Sequence, residues 1–228
     1  MRYDFKWGEM SDWANEITGE MDRDSHYQKY RKVSSDDIVL DIGANVGAFS
    51  ESLNATVIPK QIYCIEPYGP HFECLKENMS RYHNTHLSKV ALSESRDVLV
   101  DPCTTPHGEE IRITSLERNS GITFKQYLDI MNIDRINFMK MDVEGYEYDI
   151  INPENYEFVY SKVDYIAAEY HLFTTKQKAE FAKFREGVLR KTGNFRIEAV
   201  NGVDVTWSLY NDDFIDYYKQ IYIYINNR

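Results

Sequence analysis

Positive charge is in short supply in this sequence: 26 lysines and arginines face 37 acidic residues, a formal charge of -11 over 228 residues. A protein that gains its affinity by neutralising nucleic-acid phosphates needs the opposite balance, so no nucleic-acid partner is expected. The basic pieces "KYRK" at 29–32 and "VLRKTGNFR" near 190 read as solvated helix ends. Cysteine is scarce too. Cys64, Cys74 and Cys103 are odd in number and include no close pair, which indicates neither a disulfide framework nor a zinc site and suits a cytoplasmic protein. No apolar run approaches the roughly 18 residues of a membrane helix, and no signal-peptide core precedes the first strand, so no membrane association is expected. Repeats, low-complexity tracts and proline-rich linkers are absent as well, and the length suits one α/β domain.

What is present is an alternation of short apolar strands with helical stretches. Strands are expected at 37–43, 61–67, 86–93, 136–143, 163–170, 195–200 and 220–226. Helices are expected at "GAFSESLNA", at 69–82 with Pro70 in the first turn, at "ITFKQYLDIMNI", around "GYEYDIIN", and at 174–193 ending on Gly193. Asp41 to Glu66 and Glu66 to Ala91 each span 25 residues, and Asp142 to Glu169 spans 27, the size of one strand plus one crossover helix. Ala91 to Asp142 is too long for one such unit, so residues 95–117 are read as an inserted hairpin or loop. The sum is a doubly wound, mostly parallel, seven-stranded sheet with an antiparallel last strand. Residues 1–36 form an aromatic, charged leader of one or two short helices, and 37–228 form the domain proper. Trp7, Trp13, Tyr27 and Tyr30 of the leader either line a substrate mouth, as a lid on the acceptor side, or pack against the domain.

In such sheets a ligand lies beyond the carboxyl ends of the strands, beside the loop after the first. Here that loop is "DIGANVG". Gly43 lets the chain turn sharply, and Gly47 removes a side chain where a ligand or the next helix must come close. The loop lacks G-x-G-x-x-G, has no basic residue and begins on the carboxylate of Asp41, so a pyrophosphate is a poor fit and a nucleotide-dependent oxidoreductase is disfavoured. Glu66, closing the second strand, can accept hydrogen bonds from both hydroxyls of a ribose. Adenosine without phosphates answers both features, and S-adenosylmethionine fits, with its ammonium near Asp41 and the Gly43–Gly47 loop. Asn45 either hydrogen-bonds the cofactor or sits in a left-handed turn.

The blocks "VLDIGANVGAFS", "IYCIEPYGPHFECLKENM", "KVALSES", "ITFKQYLD", "FMKMDVEGYEYDII" and "DYIAAEYH" resemble, in order and spacing, those of the FkbM-type S-adenosylmethionine-dependent methyltransferases, over roughly residues 37–173. The resemblance implies a Rossmann-like class I methyltransferase fold and a cofactor site that includes Pro67 and Ala91 beside Asp41, Gly43, Asn45, Gly47 and Glu66. It implies methyl transfer to a hydroxyl of a small molecule or glycan. It leaves open a catalytically silent, cofactor-binding scaffold.

Methyl transfer to an alcohol needs alignment and a destination for one proton. Asp142 and Glu144 end the fourth strand, and Glu169 and His171 end the fifth, so Asp142, Glu169 and His171 are the candidate catalytic residues. Asp142 or His171 takes the proton directly, or Asp142, Glu169 and His171 hold a divalent ion such as magnesium or calcium that binds a diol. Asp142 or Glu144 as a helix N-cap is the structural alternative, with an ordinary loop hydrogen bond for His171. His83, His86 and His107 show no ligand spacing.

Overall fold

Strand β1 (Ile38–Ile42) shows how the alternation of side chains builds two separate cores. Leu40 and Ile42 point to one side of the sheet, while Val39 points to the other. The structure is a computed structural model, and it describes residues 5–6, 26–94, 97–100 and 117–228. Trp7, Trp13, Cys103 and His107 fall outside the described residues.

Helix α1 (Ala48–Thr56) returns the chain from β1 to β2 (Gln61–Ile65), and α2 (Gly69–Met79) leads on to β3 (Thr85–Ser88). Phe49 and Leu53, one turn apart on α1, are both buried, each contributing roughly 2 kcal/mol of apolar burial. After β3 come β4 (Ala91–Leu92), β5 (Asp97–Val100) and β6 (Glu117–Ile122), then α3 (Phe124–Met131) and β7 (Ile136–Met141). A reciprocal capping box between Thr123 and Gln126 starts α3. Helices α4 (Glu147–Ile150) and α5 (Tyr156–Lys162) precede the long, fully buried β8 (Val163–His171). Helix α6 (Thr175–Gly187) follows, begun by a second capping box of Thr174 with Gln177, and β9 (Phe195–Ala199), α7 (Phe214–Tyr217) and β10 (Gln220–Asn226) close the chain.

The main sheet has seven strands in the order β3-β2-β1-β7-β8-β10-β9. Strand β10 runs antiparallel between β8 and β9, and the other pairings are parallel. The antiparallel last strand thus lies inside the sheet. One face carries α3 to α6, with Tyr127, Ile150, Val159, Phe181 and Phe184 packed on Ile42, Met141 and Tyr170. The other face carries α1, α2 and the segment after residue 26, where Tyr27 and Val33 are buried with Phe49, Leu75, Phe138, Tyr165 and Tyr222. Residues 26–33 of the leader are therefore packed on the domain. A backbone and side-chain pair ties Lys6 to Asn78 of α2 as well.

Two local readings need correction. The third strand, read as 86–93, is two: β3 pairs with β2, whereas β4 leaves for a small sheet ordered β4-β6-β5. The insertion, read as a hairpin or loop, contains the antiparallel pair β5–β6, with Asp97 opposite Ser120. Helix α6 stops at Gly187, and a tighter 3-10 turn, Leu189–Lys191, fills the stretch to Gly193. A Cβ on Gly187 would come within 2.5 Å of Pro153, so the last position of the helix is one where only glycine fits. Among the described residues no helix is long and apolar enough to cross a membrane.

Candidate functional site

The loop after β1 is shaped by three left-handed residues, Gly43, Asn45 and Gly47, with φ of 74°, 51° and 93°. At Gly43 a Cβ would lie 1.7 Å from the carbonyl oxygen of Asp142, so the turn brings the end of β1 against the end of β7 as only glycine can. Gly47 faces the helix, not open space: its Cβ would meet Leu75 Cδ1 of α2 at 2.7 Å. Of its two expected reasons, close helix packing is the one observed. Asn45 does occupy the left-handed turn, and its amide N–H donates to Glu66 Oε2 at 2.9 Å. Its side-chain Oδ1 is buried with no hydrogen-bond partner among the described residues.

Glu66 is 6% exposed, and its other oxygen accepts from the Tyr68 amide at 2.8 Å. Burial pushes its carboxyl up to about 7, against the pull of those two amides and of Lys140. Each carboxylate oxygen retains a second lone pair for a ligand donor. Pro67 is half-buried beside it, and Ala91, in β4, packs on Tyr68. A buried acceptor at the end of β2 and an orphaned amide oxygen in the β1 loop fit an adenosine-bearing cofactor.

Asp41 is wholly buried. Its Oδ2 accepts from Ser50 at 2.7 Å, and its Oδ1 lies 3.4 Å from the ammonium of Lys140. The carboxylate expected beside a ligand ammonium is thus already paired inside the fold. Lys140 is the residue that the sequence reading missed. It lies opposite Asp41 on β1 and the small Ala167 on β8, and it donates to the carbonyl of Gly43 at 2.6 Å. Burial works against its charge, but Asp41, Asp142 and Glu169 outweigh this and hold its pKa above the ordinary value. One lysine thereby ties the loop after β1 electrostatically to the carboxylates at the ends of β7 and β8.

Asp142, Glu169 and His171 do converge. Lys140 on β7 and Asp142 just past its end, and Ala167, Glu169 and His171 on β8, alternate onto one face. Above them sits Tyr27, 8% exposed, whose hydroxyl is 3.0 Å from Asp142 Oδ2 and 3.2 Å from Glu169 Oε2. Phe49 and Tyr222 hold its ring edge-on, each with centroids at 5.8 Å. Burial and the two carboxylates raise its pKa well above the ordinary value, so the phenol keeps its proton. Tyr30, by contrast, is exposed at the far end of the segment and bonds Glu198.

His171 is 3% exposed, and its Nδ1 lies 2.8 Å from Glu147 Oε1. Glu147, another residue the sequence reading passed over, is fully buried and also accepts from the Gly145 amide at 2.9 Å. Burial opposes the imidazolium, but Glu147 above all, then Glu169 and Glu144, hold its pKa well above the usual value. Neither Asp142 nor Glu144 caps α4: the N-cap is Tyr146, without a side-chain bond. Glu144 instead takes the left-handed region, φ 54°, before Gly145. His86 stacks on Tyr63 away from this cluster.

The methyltransferase FkbM domain matches residues 41–196, from the carboxylate of β1 to the middle of β9. The chain belongs to the FkbM methyltransferase family. A crystal structure of the FkbM methyltransferase from Methylobacillus flagellatus KT superposes with a TM-score of 0.55 at 15% identity. The match covers 87% of this chain and 45% of that one, so the chain spans less than half the length of that FkbM protein. A chain of a fibrillarin/Nop5p complex superposes at 0.51 with 14% identity, covering 95% of this chain and 82% of that one. No curated protein sequence matches. The fold is accordingly the Rossmann-like, class I methyltransferase fold, and the cofactor expected of an FkbM methyltransferase is S-adenosylmethionine.

Proposed function

We propose that the protein is an S-adenosylmethionine-dependent O-methyltransferase acting on a hydroxyl of a small-molecule or carbohydrate-like acceptor. The observation that carries this reading is the Tyr27 hydroxyl held between Asp142 and Glu169. An uncharged O–H group already sits within hydrogen-bond distance of both carboxylates, and Lys140, whose charge they favour, bonds the Gly43 carbonyl of the loop after β1. A single phenolic proton serves only one of them at a time, which leaves the pair able to accept from a second hydroxyl. The net charge of -11 speaks for an uncharged acceptor over a polyanionic one.

When bound, S-adenosylmethionine supplies an activated methyl group on a positively charged sulfur. Glu66 would accept from its ribose hydroxyls, and Asn45 Oδ1 from a further donor. Asp142 and Glu169 orient the acceptor hydroxyl, and Asp142 takes its proton. His171, with Nε2 3.7 Å from Glu169 Oε1, steadies that carboxylate.

The test is transfer of labelled methyl to a panel of sugars, polyols and phenols, with the position of the label read in the product. Asp142→Asn should lower kcat by about 10²-fold and leave S-adenosylhomocysteine affinity within about twofold. Label found only on nitrogen or carbon acceptors, or an Asp142→Asn enzyme as fast as the wild type, would overturn the assignment.

A further inference from the structure

The turn between β7 and α4 and the end of β8 bring together a group that the methyl-transfer reading uses only in part. Asp142, Glu144 and His171 each offer a ligand atom, all within 4.8 Å of one another. Three acidic or basic groups at a surface would mean little alone. The second observation is the histidine.

His171 is 3% exposed, and its ring is fixed from behind, with Nδ1 on the buried Glu147 at 2.8 Å. That leaves Nε2 aimed into the cluster. Its nearest acceptors among the described residues are Glu144 Oε2 at 3.4 Å and Glu169 Oε1 at 3.7 Å, both longer than a good hydrogen bond. A carboxylate behind a histidine, with the other nitrogen free to coordinate, is the arrangement by which proteins orient imidazole ligands to metals. The backbone supports it: Glu144 is held in a left-handed conformation, sparsely populated by residues other than glycine, which turns it back beside Asp142.

We infer that Asp142, Glu144 and His171 form a divalent transition-metal site, with Glu147 as the residue that positions His171. One imidazole nitrogen with two carboxylates suits manganese-class ions better than magnesium or calcium, which prefer all-oxygen ligands. The set differs from the Asp142, Glu169 and His171 expected from the sequence. Glu169 is turned towards Tyr27, whereas Glu144 faces the imidazole. The inference extends the reading of the same site through Asp142, and it is tested without cofactor or acceptor, so its failure leaves that reading standing.

The experiment is titration of the full chain with Mn2+, followed by electron paramagnetic resonance of the free ion. One saturable site per chain is expected. Glu144→Gln, an exposed position that the fold tolerates, should weaken it at least tenfold, and Glu147→Gln by a similar factor. Pulsed resonance should show 14N coupling from the imidazole, lost in His171→Gln. The exposed Glu154→Gln should bind as the wild type does. Absence of a saturable site at millimolar Mn2+, unchanged affinity in Glu144→Gln, absence of 14N coupling, or equal loss in Glu154→Gln would overturn the inference.

Discussion

Replacing Glu66 by glutamine should make the protein more stable and a poorer cofactor binder, both in a pH-dependent way. The carboxyl is buried, and its pKa rises from 4.5 to about 7 on folding. The folded chain therefore binds the proton more tightly than the unfolded one, and stability is lost as pH rises from about 4.5 to about 7. Each unit between those values is about 1.4 kcal/mol, so ionised Glu66 costs the fold about 3 kcal/mol above pH 7. Glutamine escapes that cost, but it faces the Asn45 and Tyr68 amides with only one acceptor oxygen, a loss of about 1 kcal/mol. Glu66→Gln should thus match the wild type near pH 5 and exceed it by about 2 kcal/mol at pH 8 in urea unfolding. The functional side has the opposite sign. Ribose hydroxyls need the ionised acceptor, so wild-type affinity for S-adenosylhomocysteine should be about tenfold weaker at pH 6 than at pH 8. The variant should be flat over that range and weaker at pH 8 by about 1.5 to 3 kcal/mol, the worth of hydrogen bonds to a charged group. Calorimetry at the two pH values measures this. A stability gap between variant and wild type that stays constant from pH 5 to pH 8 would refute the reasoning.

Two further perturbations test the frame around the site. Gly43→Ala places a Cβ 1.7 Å from the Asp142 carbonyl at φ 74°, so it should cost about 3 kcal/mol or more, seen as a lowered urea midpoint or insoluble protein. Deleting residues 1–25 should leave a folded domain, whereas deleting 1–33 strips Tyr27 and Val33 from the core, and its product should fail to give a cooperative melt. A cooperative melt at the wild-type temperature after the longer deletion would mean that the segment is a detachable cover.

Much of the fold was legible because it rests on local rules. The apolar runs at β1, β2, β7 and β8 and the glycines of "DIGANVG" each act within a few residues of themselves. Their spacing then left little choice but a parallel sheet with its ligand loop at the end of β1. What the chain alone withheld are the partnerships made across it. Nothing beside Lys140 in "FMKMDV" announces that its ammonium will be buried against Asp41, because that meeting depends on β1 and β7 being neighbours with Ala167 leaving room. Tyr27 reaches Asp142 across 115 residues, and His171 meets Glu147 across 24. The split of the third strand was likewise set by pairing with β6, remote in sequence. Sequence fixes which groups can carry charge and which segments are strand or helix, since those follow from side chain and backbone alone. Which charges face one another, and hence their protonation, is decided by the low-dielectric space that only the packed sheet creates.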